Sequence, residues 1–208
     1  TRYTCNVTVE NCTFDVPGAV GIKSYTGGDK NLTIKGCTAT DKAHSLVQAK
    51  GIDGILIQEC EIYSKNGMNF NNSSNVAIED CTAEVRGYAA RFGEGSTANG
   101  NAEAYSIKNS TLTSNGEEGD AVIILRGSAD NYTLTIVNTT IEGTPGIANN
   151  AVGAKVIIDG KNAITSLAEL QALIDEGVSE ITLDTDIMGT VVMKSGVTIN
   201  GNGHQLGS

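Results

Sequence analysis

The sequence predicts an all-β solenoid, a chain wound from stacked parallel strands. Three observations predict it: a ten-residue pattern recurs down the chain, its apolar positions alternate, and small turn-forming residues hold one fixed place within it. The copies run Asn6–Asp15, Asn31–Thr40, Gly54–Tyr63 and Asn75–Glu84, with weaker copies at Ala104–Thr113 and Thr133–Glu142. Val9, Ile34, Ile57, Ile78, Ile107 and Ile136 share one column, spaced 25, 23, 21, 29 and 29 residues apart. A unit of that length cannot bury its apolar face alone, so neighbouring units stack.

Each element follows from local chemistry. In the first strand Val7 and Val9 point inward and Thr8 outward, because side chains alternate with period two. The column of Val9 is β-branched throughout, which suits stacked strands. Asn11, Gly36, Glu59, Asp80, Asn109 and Asn138 then hold a one-residue bend. Most are Asn, Gly or Asp, which tolerate the left-handed backbone of a sharp corner. After the bend Cys12 and Phe14 point inward again. A third strand is expected at 20–24, 46–49, 68–71, 90–93, 122–125 and 147–150.

Three short strands per coil describe a right-handed parallel β-helix. Over roughly residues 6–160 the chain resembles the pectin-lyase-like β-helix proteins, on the pattern of bend and alternating strands just given. Residues 161–208 are expected to form a second unit. There, 165–176 reads as one amphipathic helix with Leu167, Leu170, Leu173 and Ile174 on one face. Ser166 with Glu169 forms a capping box, and Gly177 suits the C-terminal stop. Strands are expected at 181–184, 191–193 and 197–203, with Val197 and Ile199 inward. In proteins similar to this one, such a helix opens a β-helix and covers its N-terminal end. Here it follows the coils. Circular permutation, a cut through a tandem array, and local capping of the C-terminal end all explain that order. Six coils at about 4.8 Å span roughly 30 Å, whereas residues 160–164 reach at most about 18 Å. A monomeric permutant is therefore strained, and the expected partner is a second copy, through stacking or strand exchange.

Composition narrows the function. The net charge of -10 over 208 residues disfavours nucleic acid and anionic membranes. No apolar run reaches the ~20 residues of a membrane span. The chain shows no leader pattern and no initiator Met, as a mature piece or excised segment would, so its targeting is not readable from it. Cys12, Cys37, Cys60 and Cys81 share one column with Ser110 and Thr139. A linear stack does not converge as a tetrahedral metal site does, so core thiols are expected. Cys5 is left over, as an exposed thiol at a frayed end.

Enzymes that the resemblance brings in act on acidic polysaccharides. Lyases there use calcium-binding Asp clusters with an Arg or Lys base, and hydrolases use paired Asp. No clean match to either pattern is present. Aligning Phe70, Phe92 and Ile124 places Asn72, Glu94 and Arg126 in one column beyond the third strand, with Asn69 and Arg91 beside it. Such a group could grip a sugar hydroxyl or carboxylate; an exposed Glu94–Arg126 pair alone contributes under ~1 kcal/mol. Glu117, Glu118 and Asp120 share a loop whose carboxylates suit calcium, but without EF-hand spacing; solvated charge is the simpler reading and no cofactor is expected. His44 and His204 read as loop residues. The outward Thr13, Thr38, Thr82, Thr111 and Thr140 column, broken by Glu61, reflects strand preference rather than ice binding. The expectation is a non-catalytic β-helix of an extracellular, cell-surface or virion protein, assembling end to end, with weak glycan contact on one face. A polysaccharide lyase or glycoside hydrolase, and an engineered or permuted building block, stand as alternatives.

Overall fold

The computed structural model describes residues 5–24, 30–93, 103–127, 132–151 and 154–207. Six coils follow one another. The first holds β1 (Cys5–Glu10), β2 (Thr13–Phe14) and β3 (Val20–Ser24). The second holds β4 (Lys30–Lys35), β5 (Thr38–Ala39) and β6 (Ser45–Lys50). The third holds β7 (Asp53–Gln58), β8 (Glu61–Ile62) and β9 (Met68–Asn71). The fourth holds β10 (Ser74–Glu79), β11 (Thr82–Val85) and β12 (Ala90–Phe92). The fifth holds β13 (Glu103–Lys108), β14 (Thr111–Ser114) and β15 (Ile123–Gly127). The sixth holds β16 (Tyr132–Val137), β17 (Thr140–Glu142) and β18 (Ile147–Ala151). A short antiparallel hairpin, β19 (Lys155–Ile158) with β20 (Lys161–Asn162), closes the first sheet.

The strands stack as three parallel sheets. The first sheet runs β1-β4-β7-β10-β13-β16-β19-β20, the second β2 to β17, and the third β3 to β18. Register follows the expected columns: Val9 pairs with Ile34, Ile34 with Ile57, Ile57 with Ile78, Ile78 with Ile107, and Ile107 with Ile136. The bend is left-handed throughout, at Asn11, Gly36, Glu59, Asp80, Asn109 and Asn138. Amides reinforce it between coils, with Asn109 Nδ2 donating to Asp80 Oδ1 at 3.2 Å and Asn138 Nδ2 to Asn109 Oδ1 at 3.0 Å.

The cysteine column has a local job at this corner. Each thiol donates to the carbonyl two residues back, Cys60 to Gln58 at 3.2 Å and Cys81 to Glu79 at 3.2 Å. Ser110 and Thr139 repeat the bond with hydroxyls, at 2.8 and 2.9 Å. The carbonyl at this corner thus accepts twice, from the small side chain and from a backbone amide of the preceding coil, as Gln58 O does from Gly36 N at 3.0 Å and Glu79 O from Glu59 N at 3.1 Å. Cys37, Cys60 and Cys81 are buried free thiols, as the sequence expects. The side chain of Cys5 lies outside the described residues.

The core fills the coil interior. Phe70 and Phe92 stack at 5.5 Å, Phe92 meets Tyr105 at 4.7 Å, and the Tyr105 hydroxyl donates to Ser73 O at 2.9 Å. Burial fades at the N-terminal end, where the inward Val7, Val9, Cys12, Phe14 and Ile22 are only partly covered.

A separate apolar cluster gathers around α1 (Leu167–Glu176). Ser166 Oγ accepts from the Glu169 amide at 3.3 Å, and Gly177 closes the helix in the left-handed region. Leu170 and Ile174 are fully buried against Ile181, Leu183 and Ile187, with Leu167 and Leu173 partly covered. Four short strands follow: β21 (Glu180–Thr182), β22 (Ile187–Met188), β23 (Thr198–Asn200) and β24 (Leu206–Gly207). They pair in parallel as β21 with β23 and β22 with β24, the start of a second winding. The expected strand at 191–193 does not form. The Gln171 side chain holds both backbone groups of Val192, accepting its N–H at 2.8 Å and donating to its carbonyl at 3.1 Å, so no ladder is left for it.

This unit packs at the C-terminal end of the coils. Thr185 Oγ1 accepts the Ile147 amide at 3.2 Å, and Asn149 Nδ2 donates to Thr165 Oγ1 at 3.2 Å. The permuted arrangement, with residues 165–208 covering the first coil of the same chain, is therefore not adopted.

Candidate functional site

The outer face of the third sheet carries the polar group read from the sequence. Gln48, Asn69, Arg91, Ile124 and Ala148 form one outward column in strict register. Arg91 Nε donates to Asn69 Oδ1 at 3.2 Å, and the guanidinium lies 4.7 Å over the Tyr88 ring. Asn69 is only 4% exposed and Tyr88 5%. The pair therefore serves to pack this face, and a cation over an aromatic ring there adds about 0.5–2 kcal/mol.

Register corrects the expected column of Asn72, Glu94 and Arg126. Phe92 pairs with Leu125, not Ile124, so the alignment slips by one. Residues 121–125 are apolar without a break, and alternation cannot choose a face there. A one-residue slip exchanges inside for outside. Ile124 thus points outward, yet it stays 3% exposed because Tyr88, Ala121 and Ala148 pack on it. Arg126 pairs with Asn150 and, continuing the register, lies beside Gly93 and Asn71. Asn72 takes the left-handed turn after β9. Glu94 lies outside the described residues, with the loop at 94–102.

The structure brings Asn69 and Arg91 together and sets Arg126 one column over. Sequence reasoning missed Tyr88, for which no periodic signal exists, and Gln48, because aligning the expected strands 46–49 and 68–71 sets Val47 beside Asn69, whereas the observed register sets Gln48 there. The loop carboxylates are dispersed: Glu118 pairs with Lys65 at 3.0 Å, and Glu117 accepts from Asn115 at 3.0 Å. Among the described residues no group of three or more His, Cys, Asp or Glu side chains is placed to hold a metal ion. His204 Nδ1 lies 3.6 Å from Asp186 Oδ1. Burial pushes the Cys37 thiol up; the hydrogen bond between Cys60 and Cys81 draws Cys60 down to about 7 and, together with burial, pushes Cys81 up.

The second candidate is the pair of solenoid ends. At the N-terminal end, Val7, Val9, Ile22, Leu32 and Ile52 line a cavity of about 230 Å³. At the other end β23 and β24 each belong to a two-stranded sheet, with β21 and β22. Leu206, registered with the buried Ile187, is 37% exposed, and Val197 and Ile199 are partly covered.

A family model described as a right-handed beta helix region matches residues 2–141, more than half of the chain. The chain belongs to this family. No curated protein and no solved structure matches it. Its β-helix region takes in the first five coils and the start of the sixth, and the segment around α1 lies beyond the match. No helix among the described residues is long and apolar enough to cross a membrane.

Proposed function

We propose that this chain is a non-catalytic, rigid β-helical module of an extracellular, cell-surface or virion protein, which assembles end to end. The observation that carries this reading is that, among the described residues, apolar positions are incompletely covered at both ends, with Val7, Val9 and Phe14 partly covered at one end, and Ile199 partly covered and Leu206 exposed at the other. A solenoid end left uncovered in this way favours stacking by another coil. A parallel coil is the shape both ends accept. Glycan contact on the third sheet is secondary, since Asn69 is buried and Arg91 is already held by Asn69 and Tyr88.

Light scattering across a hundredfold concentration range tests the assembly. Mass that grows with concentration is expected, and a constant monomer mass overturns it. Product release from acidic glycans, with and without calcium, tests the non-catalytic part. No turnover is expected, and sustained turnover lost in Arg91→Ala would favour a lyase or hydrolase instead.

A further inference from the structure

The thiols of the corner column stand in a straight file. Cys12, Cys37, Cys60 and Cys81 are in register, since the Thr38, Glu61 and Thr82 amides donate to Cys12 O, Cys37 O and Cys60 O at 2.9, 3.0 and 3.0 Å. Each buried sulfur takes the same place in its coil. Cys37, Cys60 and Cys81 Sγ lie 3.4, 3.2 and 3.2 Å from the carbonyl two residues back. They lie 3.6, 3.7 and 3.7 Å from the Val9, Ile34 and Ile57 carbonyls of the preceding coil. Equivalent placement makes the sulfurs repeat the coil rise of about 4.8 Å. A metal–thiolate bond is about 2.3 Å, so two such bonds in line span about 4.6 Å. A soft ion that takes two opposed donors therefore fits between neighbouring sulfurs with almost no movement of the chain. Cu(I) is such an ion, and thiolates select it.

The surroundings suit a thiolate. The Cys12 amide donates to Cys37 Sγ at 3.5 Å, and the Cys37 and Cys60 amides bond in the same way to Cys60 and Cys81 Sγ. Donors aimed at a sulfur favour its charged form. The carbonyls that lose a thiol proton keep their backbone amides, Gly36 N on Gln58 O and Glu59 N on Glu79 O, so neither is orphaned. Cys60 and Cys81 share a hydrogen bond along the file, the position that an ion takes. Beyond Cys81 the column passes to Ser110, whose hard hydroxyl does not suit a soft ion.

We infer that Cys60 and Cys81 form a two-coordinate site for one Cu(I) ion, held between their sulfurs. The two thiols release their protons to solvent and two Cu–S bonds form. Copper stays Cu(I), so no electron moves. Two opposed donors complete the site, which is why a file serves where a tetrahedral ion finds no convergence. Cys60 is 1% exposed and Cys81 2%, so the ion enters when neighbouring coils part and is afterwards shielded from water and oxidants. This site is independent of the end-to-end reading above.

Copper titration tests it. The variant Cys5→Ser/Cys12→Ser/Cys37→Ser keeps the pair as its only thiols. Serine is native to the column at Ser110, where its hydroxyl makes the same bond to Lys108 O at 2.8 Å, so the coil accepts the change. The reduced chain is titrated anaerobically with Cu(I) against bathocuproine disulfonate, and X-ray absorption reads the donors. The expected result is one ion per chain, bound by two opposed sulfurs. Adding Cys60→Ser or Cys81→Ser should weaken binding by roughly a hundredfold or more. Cu(I) should raise the urea midpoint of the chain that keeps the pair and leave that of the single-thiol chains unchanged. In the otherwise unmodified chain, Cys60→Ser/Cys81→Ser should lower the bound copper by one ion. Circular dichroism confirms the coils in each case. No binding by the folded pair, equal binding after Cys60→Ser, or nitrogen or oxygen donors at copper overturns the site. So does a lowered midpoint, which assigns the ion to the unfolded chain, or the same copper content with and without Cys60→Ser/Cys81→Ser.

Discussion

Phe92→Ala and Phe14→Ala make the same chemical change at two depths of one solenoid. Phe92 is fully buried, stacked on Phe70 at 5.5 Å and against Tyr105 at 4.7 Å. Phe14 occupies an inward position of the first coil and is only partly covered. Removing a fully buried Phe costs about 3–5 kcal/mol, from lost transfer free energy and the cavity left behind. At about 2–3 kcal/mol per molar in urea, Phe92→Ala should lower the unfolding midpoint by roughly 1.5 M. Phe14 leaves less area uncovered when removed, and its cavity opens to solvent, so less than half that shift is expected. Coils contact only their neighbours, so damage in the middle also separates the two sides of the solenoid. The assay is urea unfolding followed by far-ultraviolet circular dichroism at the lowest usable concentration. Equal shifts would refute the reasoning, because Phe14 would then be covered by more than its own coil. Repeating the measurement at high concentration should raise the cost of Phe14→Ala as stacked copies cover the end.

Three further outcomes follow from local geometry. Gly67→Ala would place a methyl 2.0 Å from Ala89 O, a backbone atom that cannot step aside, so a loss of about 1–3 kcal/mol or more is expected in urea unfolding. Ser166→Ala removes the N-cap that accepts the Glu169 amide, and should cost the α1 unit about 1 kcal/mol, read from hydrogen exchange of its amides. Hydrogen bonds from Asn75 and then Ser74 hold Asp53 below its usual carboxylate pKa. Its folded pKa is depressed, so its contribution is complete above the unfolded value of about 3.9 and is lost as pH falls through the lower folded value. Comparing urea midpoints at pH 7 and pH 3 should therefore show a smaller acid loss in Asp53→Asn than in the unmodified chain.

Much of the architecture was legible in the chain. The bends at Asn11 through Asn138, the inward isoleucine column and the capped helix all stand where the residue pattern puts them. Each rests on a contact between near neighbours in sequence, or on a column that repeats identically. The polar site was legible only in part. Asn69 and Arg91 alternate with Phe70 and Phe92, which anchor their strands, so their face could be read. Arg126 could not be placed, because the apolar run 121–125 offers two registers of equal pattern. Packing of Tyr88 and Ala121 over Ile124 decides between them.

The residue pattern alone set the winding: its period, its corners, its inward columns and the cap of α1. Those are set by backbone preference at single residues and by burial within one repeat, and both are local quantities. Where the helical unit sits emerges only from long-range packing. Thr185 binds the sixth coil through a backbone amide that any coil could have offered, and Thr165 through the Asn149 side chain, where the earlier coils carry Leu125, Phe92, Phe70 and Ala49 in register. Contacts between residues this far apart in sequence leave no periodic signal, so the chain pattern does not show them.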